Sequence, residues 1–151
     1  MIRWLTIILI LIIIAAKEKE KNASFSNISP AEVKQLLDKS PDEVILLDVR
    51  EPEEYASGHI PGAILISVRG LQERYGQIPK DKEIIVYCKS GCGRSPKACE
   101  MLARSGGLKV RNMTGGIDAW RESKGRVEGI SQTREKIGKA VKYESGKGCE
   151  S

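Results

Sequence analysis

At 151 residues the chain is long enough for one domain with its own hydrophobic core and too short for two comfortable ones. Hydrophobic residues make up 40% and charged residues 30%, which excludes an intrinsically disordered composition. The net charge of +5 comes from interspersed Lys and Glu with few aromatics, which excludes a dedicated nucleic-acid binder; most of these charges read as solvated surface.

Residues 4–16, WLTIILILIIIAA, are apolar apart from Thr6 and lie between Arg3 and the charged run Lys17-Glu18-Lys19-Glu20-Lys21. The run is shorter than the roughly 20 residues of a spanning helix. It fits a signal peptide, but no small-x-small cleavage site precedes Lys17, so an uncleaved membrane anchor stands beside that reading. Either places the domain outside the cytoplasm, in a periplasmic or other extracytoplasmic space. Residues 1–21 are therefore assigned to a signal or anchor with a charged linker, 22–128 to the domain and 129–151 to a polar tail. Within that tail, 133–143 has the spacing of a short amphipathic helix through Ile137, Ala140 and Val141.

Ser29-Pro30-Ala31-Glu32 is a capping box with proline at the first helical position, and Val33, Leu36 and Leu37 carry a helix to about residue 39. Val44-Ile45-Leu46-Leu47 has the continuous apolar pattern of a strand buried on both faces. Residues 63–66 and 84–87 repeat it, and 109–111 form another strand. Residues 71–75 predict a helical turn, 95–104 a helix ended by Gly106-Gly107, and 117–123 a short helix after Gly115-Gly116. Apolar strands alternating with helices predict an α/β domain of three layers, a parallel sheet with helices on both faces. Ligands in such sheets bind beyond the carboxyl ends of the strands, where Asp48 and Cys88 both fall.

The segment Tyr87-Cys88-Lys89-Ser90-Gly91-Cys92-Gly93-Arg94-Ser95 carries the chemistry. A strand that ends in cysteine, turns through small residues and enters a helix lets backbone N–H groups curl around the sulfur, with the helix terminus adding positive partial charge. Lys89, Arg94 and Lys97 add full charges. These features favour a thiolate at Cys88 and an anion above it, hence nucleophilic attack on an anionic substrate. Cys99 shares a helical face with Leu102 and reads as core. Cys92 is either a resolving thiol for Cys88 or a small loop residue, and Cys149 in the tail has the same two readings. The four cysteines and one histidine show neither a stapling framework nor metal-ligand spacing, so neither metal nor cofactor is expected.

Leu47-Asp48-Val49-Arg50-Glu51-Pro52-Glu53-Glu54-Tyr55, then Gly58-His59-Ile60-Pro61-Gly62-Ala63, then the Cys88 loop and Gly115-Gly116-Ile117-Asp118-Ala119-Trp120 resemble, in order, the signature of the rhodanese homology domain over residues 26–128. The resemblance implies a mainly parallel five-stranded sheet. It implies a sulfurtransferase in which Cys88 takes a sulfane sulfur from a donor such as thiosulfate, becomes a persulfide and passes the sulfur to cyanide or a thiol acceptor, small molecule or protein. Lys89, Ser90, Gly91, Cys92, Gly93 and Arg94 would bind the persulfide or oxyanion. Asp48 and Arg50 either orient the loop or stabilise the fold, His59 is expected to be a hydrogen-bonded turn residue and Trp120 core.

One departure bears on substrate. Cys88 to Arg94 counts seven residues, Cys-x5-Arg, where rhodanese loops usually count six. That spacing resembles phosphatases and arsenate reductases of the same fold, although Tyr87 stands where those phosphatases carry histidine and the loop holds no acid. A phosphatase or arsenate reductase is therefore an alternative, and a non-catalytic binding module a further one.

Overall fold

The computed structural model describes residues 25–129. The apolar run Val44–Asp48 (β2) pairs in parallel with Glu83–Tyr87 (β4) from Val44 opposite Glu83 to Asp48 opposite Tyr87. Neither strand has a polar face because both faces are covered. Lys109–Met113 (β5) lies on the other side of β4, Ser26–Ile28 (β1) on the outside of β5, and Ile64–Leu65 (β3) on the outside of β2. The sheet order is thus β1-β5-β4-β2-β3, five strands, all parallel.

Alternating residues of the central strands feed two cores. Val44, Leu46, Ile85 and Tyr87 pack with Val33 of helix α1 (Pro30–Lys39) and with Ile117 and Trp120 of a C-terminal helix, Gly116–Glu122. Leu47, Ile84, Val86 and Cys88 pack on the opposite face with Leu71 of a short helix, Leu71–Arg74, and with Ala98, Cys99 and Leu102 of Arg94–Arg104. In chain order, with Pro52–Ser57 as α2, these helices are α3 (Leu71–Arg74), α4 (Arg94–Arg104) and α5 (Gly116–Glu122). The three-layer α/β arrangement expected from the apolar runs is the one observed.

The predicted capping box forms: Ser29 N–H donates to Glu32 Oε2 at 2.9 Å and Glu32 N–H donates to Ser29 Oγ at 3.3 Å. Three elements differ from the expectations of the sequence. β1 has three residues, of which only Ile28 is buried, too short for a periodic signal; it exists because β5 offers it an edge. α2 is a helix over Pro52–Ser57, where no element was predicted. Its signal was present, since Pro52 occupies the first helical position and Glu51 and Glu54 cap each other's backbone reciprocally. β3 is also shorter than the predicted 63–66, with Ile64 at 38% exposure because its outer side has no neighbouring strand. Among the described residues no helix is long and apolar enough to cross a membrane. The apolar segment at 4–16, the tail helix at 133–143 and Cys149 lie outside the described residues.

Ser29→Ala removes one half of the box and is expected to cost about 1 kcal/mol of unfolding free energy. Urea denaturation checks this as a lowered midpoint with an unchanged slope.

Candidate active site

β4 ends at Tyr87, α4 begins at Arg94, and the intervening loop folds back over its own first residue. Gly91 N–H donates to Cys88 Sγ at 3.3 Å, and the Ser95 hydroxyl donates to the same sulfur at 3.3 Å. Cys88 is 2% exposed, so its thiol lies at the floor of the loop. Burial pushes the thiol upward, but the Ser95 hydroxyl and the N–H groups of Ser95, Gly91 and Gly93 outweigh it, and the net result is a pKa below the ordinary cysteine value. Every one of those donors strengthens with negative charge on sulfur.

The loop is shaped from outside by α5. Ile117 N–H donates to Cys88 O at 2.9 Å and Asp118 N–H to Lys89 O at 3.1 Å. Asn112 of β5 donates from Nδ2 to Gly91 O at 3.2 Å and to Asn27 Oδ1 of β1 at 3.0 Å. The loop carbonyls of Cys88, Lys89 and Gly91 are thereby engaged on the protein side. Backbone meets backbone so closely that side chains are barred at two points. Gly91 has φ +71°, and a Cβ there would fall 2.7 Å from Gly115 N and Met113 O; Gly116 has φ +56°, and a Cβ would fall 2.4 Å from Cys88 O.

Arg94, expected as an anion ligand, turns to α2. Its Nη2 donates to Glu54 Oε1 at 2.9 Å and its Nη1 to Glu54 Oε2, so the guanidinium and carboxylate meet fork to fork. Arg94 holds the Glu54 carboxyl down at about 2, well below the usual carboxylate range. Lys89, Ser90, Cys92 and Gly93 are exposed, and Ser90 Oγ and Cys92 Sγ lie 3.1 Å apart in a mutual hydrogen bond. Cys99, one turn into α4, is fully buried, and burial together with the neighbouring Cys88 sulfur pushes its thiol up to about 12. It is core, as its spacing predicted.

Asp48 and Arg50 join each other. Arg50 Nε donates to Asp48 Oδ1 at 2.9 Å and Nη2 to Oδ2 at 2.6 Å, with both residues at most 3% exposed. The remaining capacity of Arg50 Nη2 goes to Gly58 O at 2.8 Å. The guanidinium lies 5.8 Å from the ring centre of Tyr87, whose hydroxyl accepts Ile60 N–H at 3.2 Å. This cluster ties the end of β4 to the 58–60 turn, one residue before Cys88. His59 stacks on Tyr55 at 3.6 Å between ring centroids, and its Nδ1 lies 2.9 Å from Tyr55 O, the hydrogen-bonded turn residue that was expected.

Ser95, Glu54 and Asn112 were not singled out from the sequence. Ser95 follows Arg94 directly and Glu54 sits within the Glu51-Pro52-Glu53-Glu54-Tyr55 signature, so both lie inside the motifs; Asn112 had no signal apart from being polar in a buried strand.

A domain model described as rhodanese-like domain matches residues 29–123. A sulfurtransferase of Allochromatium vinosum is 42% identical over 79 residues, covering 52% of this chain and 73% of that one. The thiosulfate sulfurtransferase GlpE of Pseudoalteromonas translucida is 35% identical over 97 residues, covering 64% and 90%. Among solved structures, a rhodanese-related protein of Thermoplasma volcanium is 32% identical with a TM-score of 0.63, covering 69% of this chain and 98% of that one. The match over residues 29–123, more than half of the chain, places the chain in the rhodanese-like domain family.

Two outcomes follow from the geometry. In an iodoacetamide series against pH, the Cys88 rate should level off at a lower pH than that of a simple thiol. Ser95→Ala removes one donor to the sulfur, so the midpoint should move up, with the same limiting rate at high pH. Gly116→Ala should lower both the thermal midpoint and the Cys88 alkylation rate at neutral pH, because the new Cβ must displace the Cys88 and Lys89 carbonyls.

Proposed function

We propose that the protein is a sulfurtransferase that carries sulfane sulfur as a persulfide on Cys88. The observation that carries this reading is the Cys88 sulfur itself, buried at the floor of the loop with Gly91 N–H and Ser95 Oγ both donating to it. With thiosulfate, the Cys88 thiolate attacks the outer sulfur, the S–S bond of the donor breaks, and sulfite leaves with the bonding electron pair. The product, a Cys88 persulfide, is an anion whose charge extends one atom outward into the same ring of N–H donors. An acceptor thiolate or cyanide then attacks the terminal sulfur and returns Cys88 as thiolate. No metal or redox partner enters the balance, and the sulfurtransferases among the relatives support this chemistry.

A Cys-x5-Arg phosphatase or arsenate reductase is the second reading, favoured by the loop count and by the likeness to a Rhodopseudomonas palustris protein described as a possible tyrosine phosphatase. It needs Arg94 on the substrate oxyanion, and that guanidinium is engaged by Glu54. The exposed faces of Lys89, Ser90, Cys92 and Gly93 are where an acceptor thiol, small or protein-borne, would approach. We further propose that residues 1–21 export the domain or hold it at a membrane, so that transfer takes place outside the cytoplasm.

The test is intact mass of the reduced full chain in mild detergent, recorded after exposure to thiosulfate at high concentration and separately to a low-molecular-weight persulfide. A gain of about 32 Da that reductant removes and that Cys88→Ser lacks supports the persulfide. No adduct from either donor, with Cys88 still alkylated by iodoacetamide, overturns the reading.

A further inference from the structure

Glu54 lies 40 residues before Arg94 in sequence and on a different helix, yet its carboxylate faces the one arginine of the active loop. Both terminal nitrogens of Arg94 are on the two carboxylate oxygens, and the side chains are 37% and 32% exposed, at the mouth of the loop rather than in the core. Glu54 Oε2 also accepts Glu51 N–H at 3.2 Å, the backbone half of the α2 cap. The carboxylate is therefore positioned by helix α2 independently of Arg94. A fork-to-fork pair takes one N–H from each terminal nitrogen of Arg94 and offsets its full charge, so a phosphate, arsenate or sulfonate at the loop would meet a neutralised guanidinium. Lys89 and Lys97 remain, but both are exposed, and a lysine offers a solvated point charge, not a fork.

We infer that Glu54 is a specificity-determining residue: by neutralising Arg94 it leaves the uncharged Gly91 and Ser95 donors as the groups on the sulfur, so that a singly charged persulfide is preferred over dianions such as thiosulfate, phosphate or arsenate. The inference rests on the proposed sulfur transfer for its donor class. With an alkyl persulfide, the Cys88 thiolate attacks the outer sulfur, the S–S bond breaks, and the alkyl thiolate leaves with the electron pair. No sulfite dianion has to be stabilised, and Arg94 is not required for its charge.

The test compares the full chain with Glu54→Gln and with the double variant Glu54→Gln/Arg94→Gln. Persulfidation of Cys88 is followed by intact mass against time with thiosulfate and with 2-hydroxyethyl persulfide, a singly charged donor. Protection of Cys88 from iodoacetamide by inorganic phosphate is measured in parallel. In Glu54→Gln the thiosulfate rate constant should rise by roughly tenfold, the scale of one charge-assisted hydrogen bond. The rise should appear mainly in KM, with the persulfide rate within about twofold and phosphate protection gained. The double variant should lose the gain, because its source is the freed guanidinium.

Equal changes for the two donors would overturn the inference, since they would mark a general effect on the Cys88 thiolate. Unchanged thiosulfate and phosphate behaviour in a variant that melts like the parent would overturn it as well. If neither donor labels Cys88 in the parent, the sulfur-transfer reading fails by itself. Phosphate protection still decides the role of Glu54 in that case: gained in Glu54→Gln it supports the gate, and unchanged it overturns it.

Discussion

The site depends on a backbone-to-backbone contact between the Cys88 loop and the start of α5. Two amides of α5 take the carbonyls of Cys88 and Lys89, and Gly91 and Gly116 allow main chain to approach where any side chain would collide. A loop of small residues has no core of its own to fix its shape. Here the shape is fixed by hydrogen bonds that leave the amides of Gly91, Gly93 and Ser95 to act on the sulfur. The thiolate is favoured by donors whose positions are already set in the folded chain.

A second level of support lies behind Tyr87. The buried Asp48–Arg50 pair, the Tyr87 hydroxyl and the 58–60 turn close on one another immediately before Cys88. Burying two charges costs desolvation, and this pair meets that cost with several short hydrogen bonds and a backbone carbonyl rather than with a loose contact. The result is a rigid strand end from which the loop departs in one direction. The signature stretch from Asp48 to Gly62 is thus mainly a scaffold. Its one outward-facing contribution to the loop is Glu54, which neutralises Arg94 and sets the electrostatic character of the entrance.

Much of this was legible in the residues. The apolar runs 44–47 and 84–87 implied a sheet buried on both faces, and the parallel β2–β4 pair is that sheet's centre. The Ser29–Glu32 box marked the start of α1, and the spacing of Cys99 with Leu102 marked core. Cys88 stood out because it lies between a buried strand and a helix, in a loop with glycines and an arginine. What was not legible depended on distant partners. Three residues of β1 become a strand only against β5, and Arg94 looked like an anion ligand because nothing in its own loop announced the carboxylate facing it.

The sequence by itself determined the layers, the order of the central strands with helices α1, α4 and α5, and the cysteine loop between β4 and α4, because those follow from local hydrophobic period, capping chemistry and residue types. Tertiary structure alone decided which groups touch the sulfur and which charges remain free. Ser95 and the amides of Gly91 and Gly93 reach Cys88 only once the loop is pressed against α5, and Glu54 reaches Arg94 only once α2 is packed beside α4's first turn. Periodicity repeats within a few residues, whereas a hydrogen bond between positions 40 residues apart is specified by the path of the whole chain.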